Sequence, residues 1–306
     1  MDHYTIRINK AVDYIEENLS EVINLSDIAT VSELSKYHFH KIFKSATGET
    51  VGEFIRRIRL EKSADMLIRT QNSMTIIAVE TGFSSSSVFS REFKKKFAIS
   101  PRDFRLLFRT SNNLTISKRI EFFKNFFSIN KSISEIMRFS LPATNESLSF
   151  KIETLPEYSV FYMRYIGEYT DLDNIFSLWI NLKKFAEENF LINPKSLFFS
   201  IMHDNPNICK IGKCRYDACI SVPEQKNINI LKNKIGYRVI SSGKYAVFNF
   251  KGDLPHLFKT MTNIDYFCFK NIGYEPDNKP PYFRHYSISE KKESFEFEIC
   301  VPIRKI

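Results

Sequence analysis

At 306 residues, with 43% hydrophobic and 26% charged content, the chain is long enough for two domains and too apolar to be wholly disordered. The polar, acid-bearing start MDHYTIRINK and the lack of a long apolar run exclude a signal peptide and a spanning helix, so the expectation is a cytoplasmic protein away from the membrane. The net charge of +9 favours an anionic partner, but it divides as +3 over residues 1–110 and +6 over the remainder, so only local arrangement can identify that partner.

Residues 4–110 read as almost entirely helical. Ile8, Ala11, Val12, Ile15 and Leu19 recur at the three-to-four spacing of an amphipathic helix. A short helix near Leu25–Val31 precedes one from Ser35 to about Ala46, which Gly48 ends. A longer helix runs from about Val51 to Arg69, with Val51, Phe54, Ile55, Ile58, Ala64, Leu67 and Ile68 inward. The cycle then repeats: a short helix near Thr75–Glu80 closes at Gly82, a Ser-rich turn follows, and a helix runs from about Ser86 to Lys96. Pro101 opens a last helix, where its fixed φ suits the first turn.

Residues 111–149 read as a connector, one helix plus a loop. From about 150 the texture changes to strands alternating with helices, and a duplication emerges. At an offset of 85, residues 160–179 lie over 245–264, pairing Gly167 with Gly252, and 197–203 lie over 282–288. At an offset of 79, 216–223 lie over 295–302. Each half reads strand, helix, strand, strand. The fold class expected is therefore multidomain, an all-α double helix-turn-helix domain over 1–110 followed by a duplicated α+β domain over 150–306, its sheet backed by two helices with a groove between the halves.

Chemistry-bearing motifs are few. The five cysteines, Cys209, Cys214, Cys219, Cys268 and Cys300, are odd in number, and their C-x4-C-x4-C start is not a usual zinc spacing. No triad, phosphate-cradling glycine loop or metal-ligand cluster is legible, so no catalytic residue, metal or cofactor is expected.

The helices at 35–46 and 86–96 carry the sharpest signal. In the first, Phe39, Ile42 and Phe43 face inward while Tyr37, His40, Lys41 and Lys44 face out, with no acid between Ser35 and Ala46. In the second, Phe89 and Phe93 face inward and leave Ser86, Ser87, Arg91 and Lys94 outward beside Lys95 and Lys96. A recognition helix needs this division, with apolar residues to dock it and hydroxyl, amide and basic groups to meet base edges and phosphates. A solvated basic face on an ordinary bundle explains either helix alone about as well; two such helices, each behind a short helix and turn, weaken that alternative.

The segment AVETGFSSSSVFSREFKKKFAISPRDFR (78–105) closely resembles the second helix-turn-helix signature of the AraC/XylS transcription regulators, through Ala78, Gly82, Phe83, Phe89, Arg91, Phe93, Lys94, Pro101 and Arg105. LSDIATVSELSKYHFHKIFKSATGETVGEFIRRIRLEKSADMLI resembles the family's first unit and linking helix. The resemblance implies base-edge contacts by Tyr37, His40, Lys41, Ser86, Ser87, Val88 and Arg91. Lys36, Lys44, Lys94 and Lys95 are better placed for phosphates. Ala98 stands where the family often has Gly. Double-stranded DNA is the partner expected, bound by a monomer across adjacent major grooves without excluding a dimer, and RNA polymerase is the further partner of an activator.

The second half resembles the GyrI-like effector-binding domain, through GEY (167–169), Trp179, HDNP (203–206), CRYDACISVP (214–223), SGKYAVFNFKG (242–252), GYEP (273–276) and EICVPI. That implies an aromatic-walled pocket for a small-molecule effector. Tyr162, Trp179, Phe199, Tyr245, Phe267, Tyr282, Arg284 and Tyr286 are its candidate residues, and each aromatic is equally at home in a core. His203 and Asp204 suit a pocket or a loop turn. Arg284 stands where the family usually has an acid. Alternation puts Tyr282, Arg284 and Tyr286 on one strand face, where the guanidinium either lines the pocket and favours anions or pairs with Glu296 or Glu298. Two other functions remain open at this point: a ligand-independent regulator whose second domain contacts proteins, and a GyrI-like hydrolase, which Arg284 disfavours.

Overall fold

The structure is a computed structural model that describes residues 3–109, 118, 148–210, 212–223, 231–232, 234–265, 273–286 and 294–305. The chain divides into two compact units, one centred on residues 1–102 and the other on 103–306. The connector over 111–149 lies almost wholly outside the described residues, as do Phe267 and Cys268.

The N-terminal part of the chain is all helical: α1 His3–Glu17, α2 Leu25–Val31, α3 Lys36–Thr47, α4 Val51–Arg69, α5 Met74–Glu80, α6 Ser86–Phe97 and α7 Pro101–Arg109. The expected elements are present with ends within about two residues, because the signals that set them are local. The Ser35 hydroxyl accepts from the His38 amide at 3.4 Å, and Ser85 does the same for Val88 at 3.2 Å, so each occupies one of the free donors of a helix start. The stripe of α1 (Ile8, Ala11, Val12, Ile15) packs with Leu19 against Phe39, Phe43, Phe54 and Ile58 in one core. T-shaped contact between Phe43 and Phe54, centroids 5.3 Å apart, locks α3 onto α4.

Among the described residues from 148 on, the chain forms a curled sheet with two helices. Its elements are β1 Lys151–Leu155, β2 Tyr158–Gly167, α8 Leu172–Glu188, β3 Phe198–Met202, β4 Cys214–Ser221, β5 Gly236–Ile240, β6 Gly243–Gly252, α9 Leu254–Asn263, β7 Tyr274–Pro276, β8 Tyr282–His285 and β9 Phe295–Lys305. The strand order is β1-β6-β9-β8-β3-β4-β2-β5, with β7 on β9.

The duplication is explicit in this order. β2, α8, β3 and β4 form one half; β6, α9, β8 and β9 form the other. The halves join where β3 and β8 pair antiparallel, and Phe199 faces Arg284 there, two residues equivalent by the offset of 85. The repeat also extends further than the sequence pattern first indicates. β1 and β5 lie 85 residues apart and each precedes its half, yet β1 pairs with β6 and β5 flanks β2. Each half thus gives its leading strand to the other half's edge, which covers an edge that would otherwise be open.

Candidate nucleic-acid interface and ligand face

On α3, Lys36, Tyr37, His40, Lys41 and Lys44 are all exposed, and Tyr37 at 85% is conspicuous for an aromatic that the adjacent core leaves outside. On α6, Ser87, Arg91, Lys94 and Lys95 are exposed, while Ser86 and Val88 are half-buried near the helix start. Beneath them Phe39, Phe43, Phe89, Phe93 and Phe97 are buried. The rings of Phe89, Phe93 and Phe97 follow one another at 5.5 and 4.4 Å, a ladder that fixes the rotation of α6 and so the direction in which Arg91 projects. Arg91 Nε lies 3.5 Å from Glu92, a contact at the surface that a ligand phosphate or base can displace at little cost.

An ion chain ties the two reading helices to the helix between them. Glu49, just beyond α3, accepts from Arg57 Nε at 2.9 Å; Arg57 Nη1 donates to Glu61 at 2.9 Å; Glu61 accepts from Lys96 of α6 at 3.1 Å. Glu49, Arg57 and Glu61 are buried, so the charges are held by mutual attraction in a medium that offers no water to replace it. The sequence reading did not single out these residues. The signal was present: Arg57 and Glu61 stand four apart among the apolar inward positions Phe54, Ile58, Ala64 and Leu67.

In the second unit, the seven described residues among the ligand candidates do not share one surface. Tyr162, Phe199, Tyr245 and Tyr282 are buried together with Cys219 and Cys300 in one cluster on one face of the sheet. Arg284, which β8 places on that same face, pairs with Glu298 across the β8–β9 ladder. Burial opposes the guanidinium charge there, and Glu298 more than offsets it. Tyr286 is exposed, and Trp179 faces the other side of the sheet, in a cleft beside α8 and α9.

Beside Tyr162 sits a charge cluster that the sequence reading missed. Arg164 grips Asp217 with Nε and Nη2 at 2.6 and 2.7 Å, Arg238 Nη1 reaches Asp217 at 2.7 Å, and His203 Nε2 lies 2.8 Å from it. Both guanidiniums lie over the Tyr162 ring, 5.0 and 5.6 Å from its centroid. Burial pushes the Asp217 carboxyl up, but Arg164 and His203 beside it hold it well below the usual carboxylate range. Tyr162 is thus a platform for cations supplied by the protein itself. His203 belongs to this cluster, whereas Asp204 next to it accepts from the Arg215 amide and Nε at 2.7 and 2.8 Å. Cys209, Cys214, Cys219 and Cys300 are buried.

The cleft on the helix-bearing face encloses about 770 Å³ of open space, part of it continuous with solvent. Ile175 and Trp179 of α8 and Leu257 of α9 wall it, and Tyr216, Ser200 and His285 form its floor. Trp179 Nε1 donates to the Tyr216 hydroxyl at 3.0 Å, and Ser200 Oγ lies 2.8 Å from His285 Nε2. Burial pushes Tyr216 up to about 12 and His285 down to about 4, so both are neutral near pH 7. No helix among the described residues is long and apolar enough to cross a membrane.

Comparison with known proteins assigns both units. The profile of the GyrI-like small molecule binding domain matches residues 148–304, just over half of the chain, and that of a helix-turn-helix domain matches 28–106. The HTH-type transcriptional regulator YbfP of Bacillus subtilis is 37% identical over 103 residues, 34% of this chain and 35% of that protein. Regulatory protein SoxS of Salmonella typhimurium is 33% identical over 105 residues, 34% of this chain and 97% of SoxS. The match therefore spans about a third of the length of YbfP and nearly all of SoxS. A crystal structure of an AraC-type transcriptional regulator from Chromobacterium violaceum is 27% identical, with a TM-score of 0.33, over 35% of this chain and 95% of that one.

Proposed function

Because the chain belongs to the GyrI-like small-molecule-binding family and joins that domain to an AraC/XylS-type helix-turn-helix domain, we propose that it is a sequence-specific DNA-binding transcriptional regulator whose operator affinity responds to a small molecule. The observation that carries the reading is the pair of N-capped helices, α3 and α6, each docked by buried phenylalanines and each presenting basic and hydroxyl side chains to solvent.

In this reading residues 1–110 are the DNA-binding domain, 150–306 the effector domain, and 111–149 the connector. Arg91 makes a bidentate contact with a guanine, Val88 touches a thymine methyl, and Tyr37, His40, Lys41, Ser86 and Ser87 meet other base edges. Lys36, Lys44, Lys94 and Lys95 hold phosphates and set the register. With α4 between them, the two reading helices enter successive major grooves about 34 Å apart, so one monomer binds a bipartite site. The protein acts in the cytoplasm as an activator, with RNA polymerase as its further partner.

Selection of bound sequences from random duplex DNA with the full chain tests this. Enrichment of a bipartite site about two helical turns long is expected; no enrichment, with or without added ligands, overturns the reading. On the selected site, Arg91→Ala should cost about 1–3 kcal/mol and relax preference at one base pair, whereas Lys94→Ala should weaken all sequences alike. Equal losses on specific and random DNA for Arg91→Ala would remove its base-reading role.

A further inference from the structure

What repeats between the two helix-turn-helix units builds each of them; what does not repeat is left to join them. Ser35 and Ser85, Phe39 and Phe89, and Phe54 and Phe104 stand 50 residues apart, cap matching cap and docking ring matching docking ring. At the same offset the four charges of the ion chain have no charged counterparts. Glu49 corresponds to Ile99, Arg57 to Leu107, Glu61 to Ser111 and Lys96 to Ala46. A balanced chain of two acids and two bases thus occurs once, where α4 links the end of α3 to the last turn of α6.

Glu61 is the junction of this chain. Its Oε2 accepts from Arg57 Nη1 at 2.9 Å and its Oε1 from Lys96 Nζ at 3.1 Å, so α4 and α6 share one buried carboxylate. The Arg57 fork is planar and its Nε reaches Glu49 at 2.9 Å, which holds the two carboxylates at a fixed separation on either side of it. Lys96 is the last link, with its side chain 20% exposed and its ammonium 5.7 Å from the centroid of the Phe97 ring that ends the α6 ladder.

Arg59, two residues beyond Arg57 and about 200° round the helix, ties the other side of α4. It donates to the carbonyls of Leu19 and Glu21 at 3.1 and 2.7 Å, and it lies against Gly82 in the turn ahead of α6. Contacts on two sides of α4 oppose rotation of α6 about it.

Lys94, Lys95 and Lys96 are consecutive but not alike. Lys94 and Lys95 are exposed, whereas Lys96 is turned inward onto Glu61. The angle it holds matters on DNA. One base pair more or less between two half-sites moves one of them by about 3.4 Å and turns it by about 35°. Reading helices held at a single angle therefore accept a single spacing.

We propose that Lys96, acting through Glu61, is a positioning residue that fixes α6 relative to α3 and so sets the half-site spacing the protein accepts, without itself touching DNA. The proposal rests on the DNA-binding reading and adds to it a determinant of spacing rather than of base identity.

The test uses the full chain and the site it selects from random duplex DNA, rebuilt with one or two base pairs added or removed between the half-sites. The parent should lose about tenfold or more for a single base pair. Lys96→Met should reduce that loss to about threefold or less while leaving base preference within each half-site as it was. Lys96→Arg, which keeps the charge, should restore the sharp optimum. Salt dependence separates positioning from phosphate contact. Lys94→Ala should lower the slope of log affinity against log salt by about 1, whereas Lys96→Met at the optimal spacing should leave it at the parent value. Glu61→Gln, which releases Lys96 from the other side of the pair, should broaden the spacing profile as Lys96→Met does, and the double variant should broaden it no further.

A profile in Lys96→Met as sharp as the parent's overturns the proposal and leaves the DNA-binding reading standing. A salt slope lowered by about 1 in Lys96→Met makes Lys96 a phosphate contact and also overturns it. Broadening in Lys96→Arg equal to that in Lys96→Met overturns the role of the ion pair. Absence of any bipartite site for the parent removes the DNA-binding reading and the proposal together. Should Lys96→Met fail to fold, the Glu61→Gln profile decides alone.

Discussion

The two helix-turn-helix units differ by an offset of 50 residues along their reading helices, and the differences are compensated. Ser35 and Ser85 cap the starts, Phe39 and Phe89 then Phe43 and Phe93 dock them, and Lys44 and Lys94 follow outside. At the next inward position the units part: Thr47 bonds back to the Phe43 carbonyl at 2.8 Å, whereas Phe97 extends the aromatic ladder. Each unit also needs two left-handed residues, one in its turn and one at its C-cap. The first places Glu33 in the turn at φ 54 and Gly48 at the cap at φ 71; the second reverses this, with Gly82 in the turn at φ 77 and Ala98 at the cap at φ 62. Glycine stands once in each unit, at opposite ends. The local backbone is the same, so what a position demands of its side chain is set by what stands above it.

The link between the units gives the largest expected effect. Arg57→Met leaves Glu49 and Glu61 buried with one cation removed, and should cost about 3–5 kcal/mol. Lys96→Met, at the partly exposed end of the chain, should cost about 1 kcal/mol. Far-UV circular dichroism at 222 nm in urea follows the helical unit, while Trp179 is the only tryptophan and reports the other unit. A loss for Arg57→Met no larger than that for Lys96→Met would mean that the ion chain does not hold the two units.

Next is Gly82, where conformation and space act together. A Cβ there would lie 2.2 Å from the Leu19 carbonyl oxygen and 2.7 Å from the Arg59 guanidinium, which itself bonds that carbonyl at 3.1 Å. Gly82→Ala should therefore cost about 2–4 kcal/mol, strain and overlap combined, and weaken operator binding with it. The caps should show a smaller effect of opposite sign. Gly48→Ala should cost about 0.5–1 kcal/mol, and Ala98→Gly should gain about as much, since relief at φ 62 exceeds the added freedom of the unfolded chain. Equal signs for the two substitutions would mean that the second cap is adapted to alanine by contacts elsewhere.

The reading helices were legible because caps, apolar spacing and helix stops act within four residues. The sheet was legible only in part. Alternation put Tyr282 and Arg284 on one face but left open whether Arg284 lines a pocket or pairs with Glu296 or Glu298, since register is set between strands. The same limit hid the Arg164–Asp217 pair, opposite one another in the β2–β4 ladder across 53 residues. β1 and β5 are five-residue edge strands, too short to announce themselves, although the offset of 85 relates them. The cleft floor was hidden differently: selecting aromatic residues for a pocket found Trp179, but Ser200 and His285 gain meaning only when the halves are folded together.

The smallest effect is the one that separates side chain from backbone in the first turn. Glu33 holds a left-handed conformation that costs a non-glycine residue about 1 kcal/mol or more. Its carboxylate returns something, accepting from Lys10 at 2.7 Å with Arg7 at 3.8 Å, but both contacts are half-exposed and screened, so each is worth a few tenths of a kcal/mol. Its backbone carbonyl also accepts from Arg7 Nη1 at 2.7 Å, a bond that any residue at this position keeps. Glu33→Gly should accordingly leave stability within about 0.5 kcal/mol of the parent, relief of strain cancelling the lost pairs and the entropy of glycine. Glu33→Gln, which keeps the strain and loses the charge, should be the worse of the two, and should lose its penalty when Lys10 is already alanine. A larger loss for Glu33→Gly than for Glu33→Gln would show that the Glu33 stem, rather than its charge, anchors the first turn to α1.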